Sequence, residues 1–124
     1  MTPRLILIAG PYRSGAHGDA ALIAGNLQRL EEAALHVYRL GHMPMIGEWV
    51  ALPLAAAAGS KAVGDTISET FLYPVANRLI RQCHAVYRID GESQGADADV
   101  RLAEELGLPV YRSREDIPAL VATV

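Results

Sequence analysis

Two short stretches of this chain hold residue types that could do chemistry together. The first, DGESQGADADVRLA from Asp90 to Ala103, places a hydroxyl (Ser93), a glycine (Gly95) and the carboxylates Asp97 and Asp99 within a few residues. The second, GPYRSG, supplies Gly10, Tyr12, Arg13, Ser14 and Gly15. Glycines let a backbone approach an anion closely, and the planar fork of an arginine matches a phosphate. Carboxylates beside such a pocket suit a nucleotide or sugar phosphate, one end of which anchors while the other faces the reacting group. Each stretch also has a plainer reading. A glycine-rich turn can simply connect a strand to a helix, and Asp97 and Asp99 can be acids favoured near a helix N-terminus. Neither a Gly-Lys-Ser/Thr phosphate loop nor a Gly-x-Gly-x-x-Gly fingerprint is present.

The surrounding pattern predicts the elements that must position these residues. Arg4 to Ala9 (RLILIA) is a continuous apolar run ended by Gly10-Pro11, as expected of a central parallel strand. Asp19 is a candidate N-cap for a helix over 20–40, with Ile23, Leu27, Leu30, Ala34 and Val37 at helical spacing and Gly41 as its stop. His42 to Ile46 reads as a second strand, placed at the sheet edge by Pro44, and strand–helix–strand makes a right-handed βαβ unit. The segment 47–64 carries a proline, three glycines and an alanine run, so an irregular lid or binding loop is expected. There Trp49 could stack on a base and Glu48 could grip a sugar hydroxyl; packing for Trp49 and solvent for Glu48 are the plainer alternatives.

A helix is predicted from Asp65 or Thr66 to Gln82, kinked or divided at Pro74, followed by a strand over AVYRI. Then come a helix from about Ala96 to Leu106, a short strand at 108–111 and a terminal helix over 113–124. Alternating strands and helices predict a doubly wound, mostly parallel four-stranded α/β sheet of order 2-1-3-4, flavodoxin- or Rossmann-like, spanning 1–124 as a single domain. In that order strands 1 and 3 are neighbours whose chains leave toward opposite faces. The loops after them, GPYRSG and DGESQGADAD, therefore converge on one crevice at the switch point.

Composition narrows the class. A net charge of −3 with interspersed signs gives no basic stripe, so polymeric DNA or RNA is not an expected partner. Cys83 is the only cysteine, which leaves no internal disulfide, and no metal cluster or cofactor is expected. The N-terminal apolar run is too short for a signal peptide and no stretch approaches a membrane span, so a cytoplasmic location is expected. With 51% hydrophobic residues, a homodimer or higher homo-oligomer is a further expectation, set against simple alanine richness.

The two loops also carry a family resemblance. An opening strand ending GPYR and a later S-x-G-A-x-x-D-V-x-x-A before a Gly-x-Pro-Val strand resemble the nucleoside 2-deoxyribosyltransferase superfamily, which includes nucleoside 5′-monophosphate N-glycosidases. The resemblance implies an enzyme cleaving the base–sugar bond of a nucleoside 5′-monophosphate, or transferring deoxyribose between nucleosides, with a small nucleotide or nucleoside as its partner. It lays Ser93, Gly95 and Ala103 on the family's serine, glycine and alanine, Asp99 on its catalytic glutamate, and Arg13 on the phosphate-gripping arginine. Where relatives often carry an aspartate at the start of strand three, this chain has His84. Asp97, Glu48, Asp90 and Glu92 are the candidates for the second acid. The shortened carboxylate at Asp99 leaves a non-catalytic nucleotide-binding module as the alternative. A phosphoribohydrolase of the lysine-decarboxylase-like type would require a Pro-Gly-Gly-x-Gly-Thr run, which GESQGAD does not supply.

Overall fold

The structure, a computed structural model, describes residues 2–120. Its sheet has four strands: β1 (Leu5–Ala9), β2 (Met43–Met45), β3 (Ala85–Arg88) and β4 (Val110–Tyr111). All three pairings are parallel and the order is β2-β1-β3-β4, as the alternation of elements predicts. Four helices accompany it: α1 (Ala20–Arg39), α2 (Gly47–Ala57), α3 (Thr66–Ile80) and α4 (Gln94–Glu105).

Side chains alternate across a strand, so one run of apolar residues feeds two cores. Ile6 and Ile8 of β1, with Ala85 and Tyr87 of β3, meet Leu30, Ala33, Ala34 and Val37 of α1 on one face. Leu7 and Ala9, with Val86, meet Ile80 of α3 and Ala96 and Ala103 of α4 on the other. Each fully buried Leu or Ile of these layers contributes roughly 1.5–3 kcal/mol. A strand buried on both faces must be apolar at every position, which is why RLILIA shows no alternation.

The strand ends coincide where the site lies. Ala9 is in register with Arg88, and the Ile89 N–H donates to the Ala9 carbonyl at 2.9 Å. A Cβ at Gly10 would overlap the Ile89 side chain, so only glycine lets the chain leave β1 this close to β3. At the outer edge, the Met43 N–H donates to the Arg4 carbonyl at 2.9 Å while Pro44 occupies the middle of β2.

Two predicted segments differ. The stretch expected to be an irregular loop from residue 47 begins with α2, an 11-residue helix that contains Pro53. Its apolar residues run around the whole helix, so no amphipathic period announces it. It forms because alanine favours helix and because Ala51 and Ala55 are buried as it packs on α3. The terminal helix expected over 113–124 is a single 3₁₀ turn, Arg114–Asp116, within the described residues. Ile117 is extended because the following Pro118 disfavours helical backbone there. Residues 121–124 lie outside the described part. Pro74 lies within α3 without dividing it.

Candidate active site

The carboxyl ends of β1 and β3 open into a cleft of about 810 Å³, a volume suited to a nucleotide-sized ligand. Its floor is the end of β1, and its walls come from the loops after β1 and β3 and from the starts of α2, α3 and α4. Of the residues singled out by sequence, Gly10, Tyr12, Arg13, Ser14, Gly15, Glu48, Ser93, Gly95 and Asp99 all line it.

Helix α1 pins both loops. Asn26 Nδ2 donates to the Tyr12 carbonyl at 2.8 Å, and Arg29 donates to the Asp90 carbonyl at 3.1 Å. Asp19 caps this helix, accepting the N–H groups of Ala21 and Leu22. At the opposite wall Ser93 caps α4: its Oγ accepts the Ala96 N–H at 3.1 Å. The N–H groups of Gln94 and Gly95, which have no acceptor within the helix, sit on the cleft wall, where an anion would find them.

Asp97 and Asp99 are only two residues apart yet have opposite surroundings. Asp97, in the first turn of α4, accepts from Arg88 Nη2 at 3.0 Å, its side chain is 56% exposed, and it does not line the cleft. Asp99, two residues and so about 200° further round the helix, lines the cleft, and its carboxyl is pushed up to about 7. That value is the net of burial, the largest cause, and the neighbouring charge of Glu48, both of which raise it, and of Arg88, which partly offsets them. Glu48, in the first turn of α2, is itself raised by burial, and its charge helps raise the buried Tyr12 hydroxyl. Tyr12, Glu48 and Asp99 thus form one electrostatically coupled group on the cleft wall. Two interacting carboxyls with raised pKa values hold a proton between them near neutral pH, which equips one as acid and the other as base.

Several placements differ from the sequence reading. Trp49 faces away from the cleft: its Nε1 donates to Glu31 at 2.9 Å, and it lines a separate apolar groove with Leu35, Tyr38, Met43 and Pro44. The next residue, Glu48, faces the cleft, because a step of one residue on a helix turns a side chain by about 100°. Asp97 is taken up by Arg88. His84 sits at the amino end of β3, away from the cleft, where its Nδ1 accepts the Leu5 N–H at 2.8 Å. Of the other candidate acids, Glu92 lines the cleft and Asp90 does not.

The structure also adds residues. Glu69, Leu72, Tyr73 and Ala76 present one face of α3 to the cleft, and Glu69 forms an ion pair with Arg13. Their i, i+3, i+4, i+7 spacing is the signal that sequence carried for that face. Arg88 is buried in β3 and donates to the carbonyls of Ile89 and Gly91 as well as to Asp97, fixing the path of the loop that leads to Ser93. Nothing in AVYRI distinguished it from an exposed strand end.

No protein-family model and no curated protein matches the chain. A solved structure of a 2-deoxyribosyltransferase from Bacillus psychrosaccharolyticus superposes with a TM-score of 0.60 at 19% identity, over 86% of this chain and 69% of that one. The chain has the 2-deoxyribosyltransferase fold. In this deoxyribosyltransferase-like framework the cleft lies at the switch point between β1 and β3, where such sheets bind ligands. Among the described residues, no helix is long and apolar enough to cross a membrane.

Proposed function

We propose that this protein cleaves the bond between base and sugar of a nucleoside 5′-monophosphate, with transfer of the sugar to a second base as the related possibility. The observation that carries this reading is the coupled Glu48–Asp99 pair lining the same cleft as Arg13. The similar 2-deoxyribosyltransferase from B. psychrosaccharolyticus, described as a suitable biocatalyst for nucleoside synthesis, supports the substrate class.

Breaking an N-glycosidic bond builds positive charge on the sugar ring, and the bonding electrons leave with the base. Asp99 in its ionised form stabilises that charge or bonds to the anomeric carbon. The pair's one proton, which rests on Asp99 in the free protein, passes to Glu48 as the substrate binds and is delivered from there to the departing base nitrogen, leaving Asp99 ionised. Water, or an N–H nitrogen of a second base, then bonds to the anomeric carbon, and the proton it loses returns to the Glu48 carboxylate. Arg13 and Ser14 hold the phosphate at one end of the cleft, together with Gly15, Ser93 and Gly95. Tyr73, an aromatic of the cleft wall, takes the stacking role expected of Trp49.

Incubating the purified protein with nucleosides and their 5′-monophosphates and following free base by chromatography tests the reading. Base release that Asp99→Asn abolishes is expected; correctly folded protein that releases base from none of them overturns it. Calorimetric binding of a monophosphate without any release would instead favour the binding module, since an aspartate reaches one methylene less far than a glutamate. The groove of Leu35, Tyr38, Met43 and Trp49 is where we place a contact between subunits, and sedimentation should show Tyr38→Asp lowering the mass.

A further inference from the structure

Arg13 already has an anion. Its guanidinium is paired with the Glu69 carboxylate in the second half-turn of α3, and the two side chains are 39% and 45% exposed. The segment before α3 is shaped around that guanidinium. Gly64 has a φ of +90°, and a Cβ there would lie 2.8 Å from Arg13 Nη2 and 3.0 Å from Cζ. Only glycine leaves both the backbone turn and the space.

The seat is held in place by its own hydrogen bonds. The Gly64 N–H donates to Ser68 Oγ at 2.8 Å, and the Asp65 carboxylate accepts from the N–H groups of Lys61 and Ser68 and from the Ser60 hydroxyl. These bonds hold the Asp65 carboxyl well below the usual carboxylate range. Gly64 and Glu69 thus both reach the guanidinium from one capped helix start, and Glu69 also lines the cleft.

We propose that Glu69 is a specificity-determining residue: an internal counter-anion that a ligand's phosphate must displace from Arg13. The inference rests on the reading of Arg13 as the phosphate-binding residue. A half-exposed ion pair is weak enough to exchange, and a phosphate dianion that accepts two parallel N–H bonds outcompetes a single carboxylate. A neutral 5′-hydroxyl leaves the pair closed. Even after displacement the Glu69 charge stays on the cleft wall and repels the phosphate, so the site discriminates against weakly held anions and retains those anchored by their nucleoside part as well.

Calorimetry with inorganic phosphate and with ribose 5-phosphate, compared with ribose, tests this on the wild-type protein and on Glu69→Gln, Glu69→Ala and Arg13→Ala. Both Glu69 variants should bind the two phosphates roughly ten-fold tighter with ribose affinity unchanged, a difference that a purely structural role would not produce. Arg13→Ala should bind neither phosphate measurably. If the Glu69 variants bind phosphate no tighter while Arg13→Ala abolishes binding, the role of Glu69 is overturned and the phosphate reading stands. If Arg13→Ala binds phosphate like the wild type, both fall.

Discussion

The two ends of the cleft handle charge in opposite ways. At the Arg13 end the charged groups are half-exposed and already matched, guanidinium against carboxylate, on a seat built by the α3 start. At the Asp99 end the carboxyls are desolvated and interact with one another, and among the described residues no cation is in direct contact with them, Arg88 acting from behind the helix start. Solvent screens the first end and each charge there has a partner. Their absence at the second end holds a proton where chemistry could use it. Binding and reactivity are thus divided between an exchangeable pair and a strained one.

The comparison breaks most sharply at Asp99. Asp99→Asn should reduce base release at least ~10³-fold, as loss of a group acting in the transition state does, with little change in substrate binding. The same variant should be more stable. The folded-state pKa of about 7 lies above the ordinary 3.8, so the folded protein holds a proton that the unfolded chain releases between those values. Stability therefore falls as pH rises from 4 to 7, and Asp99→Asn should recover roughly 2–4 kcal/mol at pH 8 and almost nothing at pH 4. Urea unfolding at the two pH values reads this directly.

The pH dependence of the reaction sharpens the same point. A working form with one proton on the pair gives a bell-shaped rate. Its alkaline limb should lie near pH 7, where Asp99 titrates, and its acid limb above the ordinary glutamate range, because Glu48 is raised. Steady-state rates from pH 4 to 9 would show it, and Glu48→Gln should remove the bell.

At the other end, Arg13→Ala should raise KM for a 5′-monophosphate by ten- to a hundred-fold, consistent with the roughly 1.5–3 kcal/mol of a charged hydrogen bond, and leave a nucleoside's KM unchanged. Behind the helix start, Arg88→Met strips donors from the Ile89 and Gly91 carbonyls and from Asp97, so thermal unfolding should show a loss of about 1–3 kcal/mol. The smallest effect belongs to the cap: Ser93→Ala should destabilise by about 1 kcal/mol, and Ser93→Gly by only a few tenths.

Much of this was legible in sequence, for reasons specific to particular residues. An unbroken RLILIA admits only a strand covered on both faces, and the order of elements then places GPYRSG beside DGESQGAD. The resemblance of S-x-G-A-x-x-D to the family motif pointed to Asp99, and the residue does line the cleft. Partnership was not. That Asp97 belongs to Arg88 depends on the reach of a guanidinium across a turn, and that Trp49 turns away while Glu48 turns in depends on where α2 begins. With apolar residues all round and Pro53 inside, α2 left no period to read. Glu69 became visible only when α3 had a position, because its partner lies at the far end of the chain's first loop.

The proline in β2 bears on how two such molecules could meet. Alternate residues of a strand point their backbone groups to opposite sides, and Met43 directs its N–H inward to Arg4. The outward-facing position of this three-residue strand is therefore Pro44, which has no hydrogen to give. At this edge of the sheet no N–H is offered to a neighbour's strand from that position, so a second copy arriving at the Trp49 groove would be recognised by side chains.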